Sequence, residues 1–320
     1  MAVDLPNQSN GDAIPLYDLP EGCIAKALSL TSPRDACRLS LVGYTFRSAS
    51  LSDDVWERFL PTDYRDLLSR SEEGLDLLRS GVSKKDLYLH LCDNPVLIDG
   101  GNKSFSLDKS SGKKCFMLAA RDLSIVWSDT PAYWKWIPLP ESRFNLVAEL
   151  VMVCWLEIRG AIKASMLSPD TNYAAYLVFT RKSGFYGFDH PPAETSVGFS
   201  GQEHKKHDVQ FDPEGAEEIR RARMVPRWMR RRFNFRQPGV MGEAYHHQPG
   251  IGGQPEGEIN TSARIAKRRA DEWMEVELGE VFITGGEDMD VEISLLEVKG
   301  GNWKSGLAIE GIEIRPKERK

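Results

Sequence analysis

The sequence contains no long run of apolar residues. Its most apolar window, FNLVAELVMVCWLEI at residues 144–158, is interrupted by Asn145, Glu149 and Glu157. It is also shorter than the roughly 20 residues that a helix needs to cross a bilayer. The first residues, MAVDLPNQSNGDAIP, lack the basic segment and the apolar stretch of a secretory signal peptide. We therefore expect a soluble intracellular protein with no membrane partner.

Cysteine is scarce, and its spacing forms no C-x-x-C pair. The odd count and the apolar sequence around the thiols favour reduced core cysteines in a reducing compartment over a disulfide framework. A catalytic cysteine is the alternative to this structural role. The five cysteines are Cys23, Cys37, Cys92, Cys115 and Cys154.

Recognisable catalytic motifs are missing as well. The chain has no Ser/His/Asp order, no G-x-S-x-G elbow and no pair of carboxylates that its spacing marks as catalytic. His204 and His207 lie three apart and His246 adjoins His247, but no cysteine or carboxylate stands at metal-ligand spacing. The glycine-rich GIGGQ at residues 250–254 has no predicted strand before it and no predicted helix after it, unlike a phosphate-binding loop. We expect no catalytic residue, no metal and no cofactor, and hence a protein that is not an enzyme.

The composition is that of an ordinary globular protein. With 320 residues, 41% hydrophobic and 28% charged, the chain is long enough for about two domains with a sizeable core. The net charge of −6 argues against nucleic-acid binding by the whole surface, although charge is unevenly distributed along the chain.

The N-terminal part predicts a tail at residues 1–15 that is disordered, then a small helical module at residues 16–60. Ser32 has the character of a helix N-cap, with Pro33 at the first helical position and Asp35 in the first turn. A module of about 45 residues is too small to bury a satisfactory core alone, so it needs either the rest of the chain or another protein. The apolar positions at helical spacing are Cys23, Ile24, Ala27 and Leu28, then Ala36, Leu39, Val42 and Phe46, then Val55, Trp56 and Phe59.

The segment LPEGCIAKALSLTSPRDACRLSLVGYTFRSASLSDDVWERFLP resembles an F-box, and in particular the F-box of plant proteins that also carry a phloem-lectin domain. The Leu-Pro opening, the Ser-Pro-Arg-Asp-Ala helix start and the Val-Trp-Glu ending carry the resemblance. It implies docking onto the small adaptor subunit of an SCF-type cullin-RING ubiquitin ligase. The adaptor-binding residues that it implies are Leu19, Pro20, Ile24, Leu28, Pro33, Leu39 and Val42.

After this module the pattern predicts a helical connector at residues 61–85, interrupted by Gly74 and Gly81. From residue 86 to residue 320 the sequence changes to short strands with glycine-rich turns, which predicts an antiparallel β-sandwich. The fold class is therefore α+β with two domains. Alternation is clear in MDVEISLLEV, where three apolar residues face one side: Val291, Ile293 and Leu295.

A long insertion loop is predicted at about residues 184–270, because periodic apolar residues give way to Gly, Pro and charge. It contains eight arginines and no acids from Arg220 to Arg236, interleaved with aromatic residues. Three interpretations stay open: a nuclear-import signal, a nucleic-acid contact, or a basic face that pairs with the acidic remainder of the chain. The nuclear-import candidates are Arg220, Arg221, Arg223, Arg230, Arg231 and Arg232.

Three of the eight tryptophans stand close together in IVWSDTPAYWKWIPLP, around a turn. They either pack inward at the end of the sandwich, or present exposed rings that a sugar covers. In the second interpretation Trp134 and Trp136 share a face, while Asp129 and the Tyr133 hydroxyl bind sugar hydroxyl or acetamido groups.

Residues about 87–320, apart from the insertion, are similar in ordered phrases to the tobacco agglutinin Nictaba and the phloem protein 2 lectins. The phrases include ARDLSIVWSDTPAYWKWIPLP, WLEIRGAI and NWKSGLAIEGIEIRPK. The resemblance implies a jelly-roll-like sandwich that binds N-acetylglucosamine oligomers and N-glycan cores. The binding rings that it implies are Trp127 and Trp134, with Trp136 in support.

Together these resemblances predict the substrate receptor of a ubiquitin ligase that captures glycoproteins in the cytoplasm and nucleus. Two alternatives stay open: a free-standing phloem or defence lectin, and a receptor for a protein surface that binds no sugar.

Overall fold

The computed structural model describes residues 19–188, 191–212 and 263–317. Within these ranges the chain begins with short helices and continues as a β-sandwich, as the sequence predicts. None of the helices in this part of the chain is long and apolar enough to cross a membrane. The helices are α1 Glu21–Leu28, α2 Pro33–Leu39, α3 Tyr44–Ala49, α4 Asp53–Phe59, α5 Tyr64–Leu68, α6 Glu72–Arg79 and α7 Lys84–Asp93.

The predicted start of α2 is confirmed. The Ser32 side chain accepts a hydrogen bond from the Asp35 backbone N–H, and Pro33 occupies the first position of the helix. The predicted extent is wrong, since α2 ends at Leu39 and a separate helix begins after Gly43. Glycine costs a helix about 1 kcal/mol relative to alanine, so a break at this point is inexpensive.

The boundaries of the predicted connector also need correction. Gly74 does not interrupt the helices but lies inside α6, where a Cβ would come 2.1 Å from the Leu68 carbonyl oxygen. Glycine therefore lets α6 pack closely on the end of α5. Helix α7 continues to Asp93, so the sandwich begins at Val96 and not at residue 86.

The strands form two sheets. In the nine-stranded sheet the order is β1-β2-β3-β15-β8-β13-β12, with β6 also paired to β15 and β5 paired to β6. The six-stranded sheet has the order β11-β10-β9-β14-β7-β4. The strands are β1 Val96–Ile98, β2 Lys103–Leu107, β3 Lys114–Ala119, β4 Ser124–Ile125, β5 Trp134–Ile137, β6 Val147–Leu150, β7 Leu156–Lys163, β8 Thr171–Tyr186, β9 Ala193–Phe199, β10 Lys206–Gln210, β11 Arg264–Ile265, β12 Lys267–Arg268, β13 Met274–Ile283, β14 Asp290–Glu297 and β15 Ser305–Pro316.

Almost all strand pairs are antiparallel, and β10 with β11 is the parallel pair among them. The alternation predicted for β14 is confirmed, since Val291, Ile293 and Leu295 are buried between the sheets. Their neighbours along the strand point outward, so the six-stranded sheet has a polar outer face.

The insertion predicted at residues 184–270 is wrong over its first part and at its end, where β11 and β12 form. Strand β8 continues to Tyr186, and β9 lies in the middle of the six-stranded sheet, paired with β14 on one side and β10 on the other. Its inward row includes Thr195, whose hydroxyl donates a hydrogen bond to the Leu278 carbonyl at 2.7 Å. A polar residue that is satisfied in the core weakens the apolar alternation, which explains why the strand was missed. Residues 213–262 lie outside the described part of the chain.

The helices pack on the sandwich through a shared hydrophobic core. Trp56 of α4 and Tyr88 of α7 are buried with ring centroids 5.1 Å apart, and the Tyr88 hydroxyl donates to the Asp108 carbonyl after β2. The buried Lys114 ammonium lies 2.8 Å from the Asp63 carboxylate. Of the two partners considered for the helical module, the rest of the same chain supplies its packing.

Candidate carbohydrate-binding site

Trp134 does not present a ring to solvent. It opens β5, pairs with Leu150 of β6, and only 2% of its surface is accessible. A sugar needs an open ring face, so the prediction that this ring stacks on a ligand is wrong. Packing inward, the other interpretation drawn from the sequence, is what Trp134 does.

Trp136 stabilises the turn between β4 and β5. Its indole N–H donates to the Ser128 carbonyl at 3.0 Å, and the Arg121 guanidinium lies 3.7 Å from the ring centroid. The side chain is half-buried. One face is therefore already covered by a cation, and the residue holds the β4–β5 turn in place.

Trp127 is the exposed ring of the predicted group, with 41% of its surface accessible. Its ring centroid lies 5.3 Å from that of Tyr133, at an angle of 39°. Its backbone has φ of 60°, a left-handed conformation that is strained for a residue with a side chain. Asp129 next to it is exposed, and its carboxylate accepts a hydrogen bond from the Thr130 hydroxyl at 3.3 Å. A sugar contact by Trp127, Tyr133 and Asp129 stays a prediction.

Sequence reasoning missed three further aromatic residues that the fold leaves open. Trp155, Tyr186 and Trp303 are 42%, 47% and 47% exposed. Trp155 precedes β7, Tyr186 ends β8, and Trp303 lies in the β14–β15 loop. The signal available in the sequence was a tryptophan directly after a glycine-rich turn, in KGGNWKSG.

Strand register brings these rings to one end of the sandwich. Val153 and Lys304 exchange backbone hydrogen bonds of 3.0 and 2.8 Å, which places the segment before Trp155 beside the segment after Trp303. The Val126 N–H donates to the Glu157 carbonyl at 3.1 Å, so the Trp127 turn lies beside the start of β7. We call this surface the aromatic end; it comprises Trp127, Tyr133, Trp155, Tyr186 and Trp303.

A buried ion pair supports the loop that carries Trp303. The Lys304 ammonium pairs with the Glu297 carboxylate, and both side chains are buried. The same ammonium donates to the carbonyls of Cys154 and Asn302, at 3.2 and 2.7 Å. Glu297 also accepts the Gly300 N–H at 3.0 Å. One charged pair therefore joins both loops under the aromatic end.

Polar groups lie next to the rings. The Glu157 carboxylate accepts hydrogen bonds from the Arg159 guanidinium at 2.8 Å and from the Trp155 indole at 2.9 Å. These two bonds hold the pKa of Glu157 below its usual range, so the carboxylate is charged at neutral pH. Open rings beside a few fixed polar groups are what a sugar-binding surface needs, because ring faces cover C–H groups and polar groups bind hydroxyls.

The helical module exposes apolar residues of its own. Leu41 and Tyr44 are 86% and 87% accessible, and Val42 between them is also exposed. We call these three residues the helical surface; Leu41 and Val42 lie in the turn after α2, and Tyr44 begins α3. Exposed groups of large apolar side chains are typical of interaction surfaces.

Of the adaptor-binding residues implied by the sequence, Val42 and Pro20 are exposed, and Leu19 and Leu39 are partly buried against the core. Ile24, Leu28 and Pro33 are buried. Ile24 and Leu28 belong to the hydrophobic core of the free chain, so they offer little side-chain surface to a partner, and adaptor contact by these residues stays a prediction.

The cysteines divide into two groups, the exposed Cys23 and Cys37 and the partly buried Cys92, Cys115 and Cys154. Cys23 and Cys37 are exposed, so the expectation of core thiols is wrong for these two. Burial raises the pKa of the Cys92 thiol to about 12 and also raises the pKa of Cys115. A thiol that stays protonated is a poor nucleophile, which argues against a catalytic role for either.

The histidines show no metal geometry in the described ranges. His204 donates from Nε2 to the Phe199 carbonyl at 2.8 Å, and no group of three His, Cys, Asp or Glu residues within those ranges is arranged to hold a metal ion. His246, His247, residues 250–254 and the arginine-rich run lie outside the described residues.

Comparison with known proteins agrees with both modules. The sequence model of the family described as phloem protein 2 matches residues 113–316. F-box protein PP2-B1 of Arabidopsis thaliana is 44% identical over 93% of this chain and 89% of its own length. F-box protein PP2-B10 of the same plant is 43% identical over 95% of each chain.

Among solved structures, the carbohydrate-binding module TmCBM61 in complex with β-1,4-galactotriose is similar over 61% of this chain and 87% of its own. The identity is 11% and the TM-score is 0.25, too low a likeness to bear on the ligand. The helical module, the sandwich and the F-box relatives over nearly the whole length place the chain in the phloem protein 2 family, as one of its F-box members.

Proposed function

We propose that this chain is the substrate-recognition subunit of an SCF-type ubiquitin ligase. Its helical surface docks onto the small adaptor subunit, and its aromatic end binds glycans that contain N-acetylglucosamine. The observation that carries the proposal is the placement of two uncovered surfaces on helices and sheets that share one hydrophobic core. One surface is apolar and lies on the F-box helices, and the other is aromatic with polar neighbours and lies on the sandwich.

The two surfaces lie at opposite ends of the sandwich. The helices approach the turn before β3 and the loop before β8, where the Lys114 N–H donates to the Ser168 hydroxyl at 3.0 Å and Lys114 pairs with Asp63. Strand β8 then runs away from the helices to Tyr186 at the aromatic end. A target held at one end leaves the other end free for the adaptor.

Catalysis in such an assembly is by proximity. Holding a target lysine near a charged ubiquitin-conjugating enzyme raises its effective concentration, and no residue of this chain needs to react. Nuclear import through the arginine-rich run stays a prediction of the sequence.

The adaptor contact is tested by co-expression of the full chain with the adaptor. We expect Leu41→Asp combined with Tyr44→Asp to abolish co-purification, because charges in a desolvated interface cost several kcal/mol. Both side chains are exposed in the free chain, so its own stability should change by less than about 0.5 kcal/mol per site. Val82→Asp, at an exposed apolar residue of the connector, is the matched control and should bind like the parent. A parent chain that fails to bind the adaptor contradicts the ligase hypothesis and favours a free-standing lectin.

The sugar contact is tested by calorimetric titration of N-acetylglucosamine trimer into the full chain. Trp127→Gly removes the ring and suits the left-handed backbone, so we expect at least a tenfold loss of affinity without loss of fold. Met289→Ala, at an exposed residue of the opposite end, is the control and should bind normally. No heat from the folded parent would contradict sugar binding and favour a receptor for a protein surface.

A further inference from the structure

The outer face of the six-stranded sheet carries a trough of about 460 Å³. It crosses four neighbouring strands, β4, β7, β14 and β9, and none of its lining residues is Trp, Tyr or Phe. The side chains used below are Arg159, Ala161, Ser196, His204, Glu292 and Ser294.

The trough exists because register places small residues side by side. Ala161 of β7 stands opposite Glu292 of β14, and Glu292 stands opposite Gly198 of β9. In the next row Ser294 lies between Arg159 and Ser196, and the two serine hydroxyls are 2.8 Å apart. The short side chains of Ala161, Ser196 and Ser294 form the floor of the trough, and the longer side chains of Arg159, Glu292 and His204 flank them.

Gly198 has a specific role at one end of the trough. A Cβ at this position would lie 2.5 Å from the His204 ring, so only glycine lets that ring lie against the sheet. The hydrogen bond from His204 Nε2 to the Phe199 carbonyl fixes the ring there. His204 therefore forms an ordered wall and not a loose surface side chain.

The charges in the trough are balanced. Arg159 supplies a cation and Glu292 an anion, while Lys103 and Asp122 at the far side pair with each other at 2.8 Å. Glu292 forms no ion pair with any described residue, so its carboxylate is free to accept hydrogen bonds. An anionic ligand would be repelled by the Glu292 carboxylate, and a cationic ligand would be repelled by the Arg159 guanidinium. An uncharged ligand with many hydroxyl groups suits both, since carboxylate, guanidinium and serine hydroxyls together accept and donate.

The trough is continuous with the aromatic end. Glu157, Arg159 and Ala161 follow one another on the outer face of β7, because residues two apart in a strand share a face, and Trp155 directly precedes this strand. Glu157 binds both the Trp155 indole and the Arg159 guanidinium, which joins the two surfaces through direct contacts. The six steps along the extended chain from Trp155 to Ala161 span roughly 20 Å, which is longer than a trisaccharide.

We propose that the trough is a second binding site that receives the further sugar residues of an uncharged oligosaccharide held at the aromatic end. The inference rests on the proposed function for its ligand class. It adds that affinity increases with the length of the oligosaccharide. The first sugar residues stack on the rings, and the further sugar residues are held in the trough by hydrogen bonds alone.

The test compares N-acetylglucosamine trimer with the hexamer by calorimetry on the full chain. The parent should bind the hexamer at least tenfold more tightly than the trimer. Glu292→Ala and, separately, Ala161→Arg should remove that gain while leaving trimer affinity within about twofold. Both positions are exposed, so neither change should disturb the fold. Asp290→Ala, on the same strand and face but outside the trough, is the matched control and should keep the gain.

The outcomes separate this inference from the function on which it rests. Equal affinity for trimer and hexamer in the parent overturns the second site and leaves sugar binding at the aromatic end intact. A hexamer gain that survives Ala161→Arg overturns it as well, because the extra contacts then lie elsewhere. If neither sugar binds the folded parent, the proposed function and the second site both fail. In that case a peptide ligand for the trough becomes the competing hypothesis.

Discussion

Replacing Lys304 by methionine is expected to lower the free energy of unfolding by about 3–5 kcal/mol. The change leaves the Glu297 carboxylate buried without its cation and removes the donor to the carbonyls of Cys154 and Asn302. An uncompensated buried charge is among the most costly defects in a fold. Urea unfolding followed by circular dichroism measures the loss.

The double variant Lys304→Met, Glu297→Leu is the control for this prediction. Two apolar side chains of similar volume remove the uncompensated charge, so most of the lost stability should return. Lys299→Met, at an exposed lysine of the same loop, should cost less than about 1 kcal/mol, because its contact with Glu194 is a surface ion pair. A loss below 1 kcal/mol for Lys304→Met would show that the pair does not hold the loops together.

Replacing Trp134 by alanine is expected to cost about 3–5 kcal/mol of stability, because it empties a large volume from the core. The ring is 2% exposed and belongs to the main hydrophobic cluster. Trp134→Phe should cost less, since it keeps most of the apolar contact. Thermal and urea unfolding of both variants measure the difference.

Trp127→Gly is the informative contrast to Trp134→Ala. It removes the same kind of side chain from the exposed β4–β5 turn and relieves a left-handed backbone that costs about 1–3 kcal/mol in a non-glycine residue. We expect its stability to equal or exceed that of the parent. If Trp134→Ala is as stable as the parent, the ring is not part of the core. A Trp134→Ala variant that is unfolded and does not bind sugar gives no information about a contact between this ring and the sugar.

Local features of the fold could be predicted from the sequence. The Ser32 cap, the Val291, Ile293 and Leu295 alternation and the two-part organisation depend on neighbouring residues or on period alone. The helix boundary at Leu39 could not be placed, because Ala36, Leu39, Val42 and Phe46 keep helical spacing across a turn.

The candidate site was only partly predictable, because spacing does not say which face of a strand is buried. Trp134 and Trp136 were expected to share an exposed face, but within β5 Trp134 is buried and Trp136 is half-buried. Trp155 and Trp303 lie 148 positions apart in the chain and meet the same end only through the pairing of Val153 with Lys304. On the helices, Ile24, Leu28 and Ala36 became core, while Leu41 after α2 and Tyr44 at the start of α3 became surface.

Strand β8 has a geometric consequence for a ubiquitin ligase. It runs beside the 12-residue β15 from Pro316 opposite Tyr173 to Ser305 opposite Tyr186, a span of roughly 40 Å, and it is paired on both sides from Tyr173 to Phe179, so we expect it to act as a spacer between the helices and the aromatic end. A glycan bound at that end would stand at a fixed distance from the adaptor. The position of the sugar on a target would then decide which lysines come within range of transfer, and two targets with the same glycan at different sites would be modified differently.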